Sequence, residues 1–425
     1  MDQPAFSALR KWLNAGGGLL HEGVCFQPLG AGNTVIAAED IPADTTIVSC
    51  PFSLVITEEL AKRNLSKFIS TNEIVGWTER QWISTYICFH WILSNSRPPE
   101  LEHYPYLDTL PPSDSLRTPL HFTEKELEAF KGSNVYQATI DRRREWNEEW
   151  RRCQSVVIHR NRDWGSALTW FVHFHLSYGH SLLHRKRYLT AATYISSRAF
   201  PSSLLSPSPT LKTTVETQPV LLPGVDSLNH KRAQPVSWSV MFPAGSEEAA
   251  SKASTFQQPT ISLILHTKTT SGNELFNNYG PKPNAELVLG YGFSLPDNPD
   301  DTILLKMGGI DKRWEIGRQE RGADAFWDEL LQIMKEDRSE DEQEAYEVQL
   351  DAADMLASMV QILLNKLPSE SKAKGILRPE VTRMWHDYIQ GQTAILSSLL
   401  DFCKKKEVEA VKLARSLGVE LVIED

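Results

Sequence analysis

The sequence predicts an α+β protein, a β-rich unit split by a long helical insert and followed by an all-α C-terminal domain. Three observations predict it. Strand-like runs cluster at residues 34–57 and return at 220–268. Helical stretches rich in Trp and charge fill the interval. The last 125 residues repeat apolar side chains at helical spacing.

Length and composition set the bounds. A chain of 425 residues exceeds what one core supports, which implies two or three domains. Hydrophobic residues at 41% and charged residues at 23% give an ordinary globular balance. No apolar run approaches the roughly 18 residues that span a bilayer. The N-terminal MDQPAFSALRKWLNAGG lacks the charged, apolar, then small order of a signal peptide. The expectation is a soluble monomer, cytoplasmic, nuclear or both, with no membrane partner.

Taken in order, residues 5–15 form an amphipathic helix with Phe6, Leu9, Trp12 and Leu13 on one face and a glycine stop. TVIAA and TTIVSC are strands around the turn IPAD, and PFSLVIT follows, making a small antiparallel unit. Residues 58–195 are the helical insert. Residues 201–219, rich in Ser, Thr and Pro, are a surface loop. VLLPGVD, QPVSWSVMF and TISLILHTKT resume the strands. In 344–367, Val348, Ala352, Met355, Leu356, Met359, Val360, Leu363 and Leu367 keep i, i+3, i+4 spacing until Pro368. Tyr388, Gln392, Leu396, Leu399, Leu400 and Cys403 nearly repeat it. The domain boundary falls near 295–305, in SLPDNPDDT, giving domains 1–300 and 301–425.

The formal charge is −10, and 17 basic against 25 acidic residues in 301–425 carry −8 of it. Such a chain is a poor general binder of nucleic acid, which needs clustered Lys and Arg. The runs Arg142-Arg143-Arg144 and Arg185-Lys186-Arg187 read as solvated faces. The five cysteines are scattered without a CxxC, against both a disulfide framework and a cysteine-built zinc site. His180 and His184 stand at i, i+4 but lack the glutamate of HExxH, so no metal is expected.

Three segments carry candidate chemistry. Gly30-Ala31-Gly32-Asn33-Thr34 leads into a strand, and small residues there let backbone approach a ligand; a simple turn explains it equally well. It is not a GxGxxG entering a helix, so a dinucleotide fold is unsupported. VLLPGVDSLNH runs an apolar strand into Asp226, Asn229 and His230, polar groups that need partners at a strand end; an Asx-turn is the competing account. ELFNNYGPKPNAELVLGYGF places Tyr279 and Tyr291 around a turn and a short apolar helix, a spacing usual for rim packing.

Together the last two segments resemble the C-terminal half of a SET methyltransferase domain. More narrowly, they resemble the subgroup of the Rubisco large-subunit lysine methyltransferase and the fungal ribosomal-protein lysine methyltransferases. GNTVIAAEDIPADTTIVSCP stands where the family has its GxGL…A…DI..G segment, and SSRAF matches a subgroup motif before the Ser/Pro loop. The insert and the helical tail also fall where the subgroup has them. Two departures stand out. The family usually has Gly-Arg-Gly-Leu where this chain has Gly30 to Thr34. No cysteine cluster follows Phe293, so a helical domain must close the site.

The resemblance implies a β-rich SET fold and a lysine N-methyltransferase that uses S-adenosyl-L-methionine (SAM), releases S-adenosyl-L-homocysteine, and acts on a non-histone and basic protein, possible ribosomal proteins included. By the same match Tyr279 places its hydroxyl at the transfer point and Tyr291 walls the lysine channel. Gly32, Asn33, Thr34, Arg198, Asn229, His230 and Phe293 hold SAM, with Arg198 on its carboxylate and Phe293 near the adenine. Asp226 is assigned to the substrate side. Two alternatives stay open: transfer to a histidine, and a catalytically silent SET module that binds a partner.

Overall fold

The computed structural model describes residues 4–30, 32–70, 74–170, 186–243, 258–308, 311–336, 345–369 and 377–419. The chain forms two compact units, residues 1–116 with 141–281 and residues 117–140 with 282–425. The boundary expected near 295–305 therefore lies inside the second unit. Residues 117–140, read as part of the insert, also pack there. The reason is a long-range apolar contact with no local signature: Phe122, Leu127, Phe130 and Val135 bury with Val288, Val381, Met384 and Trp385.

In the first unit, α1 (Pro4–Ala15) buries Phe6, Leu9 and Leu13. Gly17 at φ +84° ends it, and Gly18 lets the chain pass so close that a Cβ there would lie 2.5 Å from the Ser49 carbonyl oxygen. The strands that follow are β1 (Leu19–Leu20), β2 (Val24–Leu29), β3 (Gly32–Ala37) and β4 (Thr45–Pro51). Far along the chain come β5 (Phe200–Pro201), β6 (Pro219–Val220), β7 (Asn229–His230), β8 (Val236–Met241), β9 (Thr260–Leu265) and β10 (Phe276–Asn277).

An antiparallel sheet of order β1-β4-β9-β8 joins early and late strands, and β2 pairs with β3 as a hairpin. Most residues of β4 and β9 are buried, as a central strand pair requires. β7 and β10 run parallel, with Asn229 opposite Phe276 and His230 opposite Asn277. VLLPGVD is mostly not a strand: only Val220 belongs to β6, Leu221 makes a single bridge to Ile56, and a 3₁₀ turn takes Val225–Ser227.

The insert is helical, as its composition predicts: α2 (Glu58–Leu65), α3 (Glu79–Ile92), α4 (Tyr104–Leu107), α5 (Glu124–Glu128), α6 (Asn134–Arg160), α7 (Arg162–Ala167) and α8 (Arg187–Arg198). Thr57 caps α2 through the Leu60 amide at 3.1 Å. Capping boxes Thr78/Gln81 and Thr123/Glu126 start α3 and α5.

The second unit adds α9 (Asn284–Glu286), β11 (Thr302–Leu305), β12 (Trp314–Gly317), α10 (Ala323–Glu336), α11 (Ala345–Lys366) and α12 (Pro379–Ser416). The helices expected at 344–367 and 381–403 match α11 and the first two thirds of α12. The tail is not purely helical, however, because β11 and β12 form an antiparallel hairpin. Ile303, Leu305, Trp314 and Ile316 of that hairpin enter the core with Phe326, Leu356, Val360, Ile395 and Leu399. Short alternating runs flanked by Gly and Asp carry too little periodicity to compete with the helical signal on either side.

Between the two apolar clusters of this unit lies a buried carboxylate. Asp301, 1% exposed, accepts the Asn284 amide at 2.7 Å and its side-chain Nδ2 at 3.3 Å, with Arg318 Nη2 at 3.5 Å. It presses against α12 where that helix has glycine, and a Cβ on Gly391 would sit 2.2 Å from Asp301 Oδ2. Gly391→Ala is therefore expected to lower unfolding free energy by about 1–3 kcal/mol through overpacking, although alanine is the better helix former. Equilibrium denaturation checks this, and a variant as stable as the parent would contradict the contact.

Candidate active site

The polar residues singled out in the sequence gather in the first unit around the parallel pair β7 and β10. Asn229 and His230 are β7 itself, and Glu274 to Tyr279 run through β10 beside it. Lys231 donates its amide to the Asn277 carbonyl at 2.9 Å, continuing the pairing. β3 lies against the same segment: the Leu275 amide donates to the Val35 carbonyl at 2.8 Å, and Ile36 bridges Glu274. Thr34 is thus one residue from the strand edge that supports the tyrosine loop. Asn33 and Gly32 stand opposite Pro28 and Leu29 at the hairpin end.

Several contacts hold Tyr279. Its hydroxyl donates to the Leu228 carbonyl at 2.9 Å, its amide donates to His230 Nδ1 at 3.1 Å, and its ring stacks on the His230 imidazole at 5.0 Å. An Nδ1 that accepts leaves the imidazole proton on Nε2 when the ring is neutral. With its own proton directed at Leu228, the Tyr279 oxygen presents lone pairs. It is an acceptor aimed by the backbone. Gly280, at φ +87°, turns the chain immediately afterwards.

Arg198 ends α8, and Asp226 sits in the 3₁₀ turn before β7. Arg198 Nη1 donates to the Asp226 carbonyl at 3.1 Å and to its Oδ2 at 3.3 Å. Tyr106, fully enclosed on α4, donates its hydroxyl to the same Oδ2 at 2.7 Å. Burial lifts the Asp226 pKa above the usual carboxylate range, while Arg198 and Tyr106 pull it back down. The Tyr106 phenol is pushed well up, first by burial and then by the Asp226 charge. Asn229 directs Nδ2 to Glu274 Oε1 at 2.7 Å.

Seven buried side-chain polar atoms of this unit have no hydrogen-bond partner among the described residues, and three of them, Thr34 Oγ1, Asp226 Oδ1 and Asn277 Nδ2, lie in or next to β3, β7 and β10. All three lie in segments singled out in the sequence, Asn277 inside NNYG. Sequence reasoning missed Tyr106, Glu274 and Asn277 as site residues. Asn277 and Glu274 stood within the quoted motif, whereas nothing around Tyr106 signals that it reaches Asp226, 120 residues away.

Tyr291 and Phe293 belong to the second unit, at the end of the tight helical turn Leu287–Tyr291. Their rings meet edge to face at 6.1 Å, and Lys282 Nζ lies 5.6 Å from the Tyr291 ring centre. Burial, with help from Glu286, pushes the Tyr291 pKa up to about 12. Gly292 at φ +81° passes 2.7 Å, measured from a Cβ placed on it, from the Arg117 backbone. Asn284 holds this segment closed, exchanging hydrogen bonds with the Leu295 amide and carbonyl at 2.8 and 2.9 Å.

Among the described residues no group of three or more His, Cys, Asp and Glu could hold a metal ion. His180 and His184 lie outside the described residues.

The comparisons with known proteins bear on the fold. A solved structure titled as the SET domain of LSMT bound to lysine and AdoHcy superposes with a TM-score of 0.70 at 16% identity, covering 98% of this chain and 96% of that one. Rubisco LSMT bound to sinefungin and monomethyllysine gives 0.68 at 16% identity, covering 100% and 98%. The fold is that of a SET domain. The ribosomal lysine N-methyltransferase set10 of Schizosaccharomyces pombe is 34% identical over 276 residues, 64% of this chain and 41% of that protein. Ribosomal lysine N-methyltransferase 1 of Saccharomyces cerevisiae is 27% identical over 332 residues, 72% of this chain and 52% of that protein. These relatives are the group that the sequence motifs resemble. The chain spans about half the length of the curated relatives it matches. No family model matches it.

Within this candidate site, the Thr34 hydroxyl has no partner among the described residues and therefore adds nothing to folding. Thr34→Val, which keeps the shape and removes the hydroxyl, is expected to leave unfolding free energy unchanged or raise it by about 1 kcal/mol. A loss of 1 kcal/mol or more in urea titration would show that the hydroxyl has an internal partner.

Proposed function

We propose that this chain is a SAM-dependent protein-lysine N-methyltransferase acting on a non-histone protein. One observation carries the reading: the Tyr279 oxygen, aimed by the Leu228 carbonyl and the His230 ring, in the same unit as buried polar atoms that lack partners among the described residues. The names of the curated relatives support lysine as the acceptor in preference to histidine, and the intact site supports catalysis in preference to a silent module.

The residues present fit SAM. Asp226 Oδ1, Asn277 Nδ2 and Thr34 Oγ1 need polar partners, and Arg198 offers a guanidinium suited to a carboxylate. Asn229 and His230, with Gly32 to Thr34, would bind the rest of the cofactor, and Phe293 its adenine. When bound, SAM supplies a methyl group on a cationic sulfonium.

The chain's own part is alignment and desolvation. Tyr279 orients the acceptor amine through its lone pairs and holds polarised C–H groups by weak contacts. Alignment of this kind removes several kcal/mol of a barrier, about 7–11 at the extreme. A free lysine has a pKa near about 10.4, and shelter from water beside positive charge favours its neutral, nucleophilic form. Tyr291 lines the lysine path by the same resemblance. The charge of −8 on residues 301–425 suits a basic substrate such as a ribosomal protein. No helix among the described residues is long and apolar enough to cross a membrane, and we place the activity in the cytoplasm, the nucleus or both.

The decisive experiment incubates the purified protein with labelled SAM and a lysate lacking its own copy, then maps the label by mass spectrometry. Label on lysines of basic proteins is expected; label on histidine, or none, would overturn the reading. Tyr279→Phe should lower kcat at least about 100-fold while SAM affinity changes less than about threefold, because the hydroxyl acts chiefly in the transition state. An unchanged kcat would remove Tyr279 from the chemistry.

A further inference from the structure

Arg198 can bind an anion only if its guanidinium is held in place, and the groups that hold it are few. Its Nη1 is fixed by the Asp226 carbonyl and by Asp226 Oδ2. Asp226 is 6% exposed, so its charge needs support of its own. Among the described residues Oδ1 has no partner, and Oδ2 has two, Arg198 and the Tyr106 hydroxyl. The Tyr106 contact, at 2.7 Å, is the shorter. Cys50 is the other ionisable group acting on Asp226, and it is a buried thiol whose pKa burial raises further, so it stays neutral. Arg198 in turn feels Tyr106 and Tyr279, both phenols that are neutral at physiological pH.

We propose that Tyr106, on helix α4 of the insert, is a positioning residue for the cofactor site, keeping Asp226 charged so that Arg198 stays oriented toward its anionic ligand. Tyr106 touches neither substrate nor cofactor in this account and acts through two other side chains. It rests on the proposed use of Arg198 for the SAM carboxylate and deepens that reading.

The sign of the effect follows from the hydrogen bond. A phenol that donates to Oδ2 stabilises the ionised form of Asp226, opposing the burial that raises its pKa. Without that donor the carboxyl takes up a proton at higher pH. A protonated Asp226 no longer balances Arg198, and the anchor at Oδ2 is lost. Affinity for an anionic ligand at Arg198 therefore holds above the folded pKa of Asp226 and falls as pH drops through it. Removing the phenol must move that fall upward. Hydrogen bonds to charged groups of this length are among the strong ones, so the displacement should be on the order of one pH unit or more.

The test measures S-adenosylhomocysteine binding to the full chain by calorimetry from pH 5 to pH 9. Tyr106→Phe keeps the ring and its packing, and should move the acid-side midpoint of affinity up by about one unit while affinity at pH 9 stays within about threefold of the parent. In an Asp226→Asn background the same change should leave the profile where it is. If Tyr106→Phe fails to fold, 3-fluorotyrosine placed at position 106 supplies the check, since its more acidic phenol is a stronger donor and should move the midpoint downward. A uniform loss of affinity at every pH, or an unmoved midpoint, would overturn the proposal and leave Tyr106 a packing residue. Failure of the parent protein itself to bind S-adenosylhomocysteine would instead overturn the reading of the site, and this inference with it.

Discussion

A buried charge governs the candidate site. Asp226 is enclosed by apolar strands and turns, where an unpaired carboxylate would cost several kcal/mol. The chain meets that cost with Arg198 from the end of α8 and Tyr106 from α4, so one side chain ties two parts of the helical insert to the turn that enters β7. The position of that turn then fixes Leu228, whose carbonyl aims the Tyr279 hydroxyl, and His230, whose ring supports it. The site is assembled outward from this one ion.

The second unit solves a similar problem differently. Asp301 is equally buried but is satisfied mainly by backbone and amide donors of Asn284, with Arg318 at longer range. Its space comes from a missing side chain, Gly391, in the middle of the 38-residue helix α12. Asn284 passes the constraint on, since its amide group also closes the loop bearing Tyr291 and Phe293. In each unit a buried carboxylate helps to fix where the loop of the tyrosine of interest can lie. Polar satisfaction, more than apolar area, specifies the local geometry.

Which parts of this were legible in the sequence follows from how far each signal reaches. The amphipathic helices read at 5–15, 344–367 and 381–403 were legible because their pattern repeats every turn, whereas the last third of α12 was not read. Strands β3, β4, β8 and β9 were legible from their β-branched runs, although their order in the sheet was not, since pairing joins residues more than 200 apart. The hairpin β11–β12 and the assignment of 117–140 to the second unit were missed because both depend on tertiary burial. At the site, motif resemblance picked out Arg198, Asp226, Asn229, His230 and Tyr279, and the first unit brings them together. Tyr106 stood in a segment with no motif. Resemblance assigned Asp226 to the substrate side but did not show that it is hydrogen-bonded to Arg198.

The unpaired atoms bear on why such a site persists. A buried polar atom without a partner costs about 1–3 kcal/mol, and domains of this size retain only about 5–15 kcal/mol of stability. Thr34 Oγ1, Asp226 Oδ1 and Asn277 Nδ2 together are therefore a substantial charge against folding. All three would be cheaper as apolar groups of the same shape. Asp226 precedes β7, Asn277 lies in β10 and Thr34 lies in β3, which supports β10, so these three costs fall where the polar motif residues also converge. Unmade hydrogen bonds at these positions suit a surface shaped for a ligand, because binding returns the hydrogen bonds that folding leaves unmade. It follows that ligand affinity and folded-state stability should trade against each other at these three positions and not at the fully satisfied Asp301.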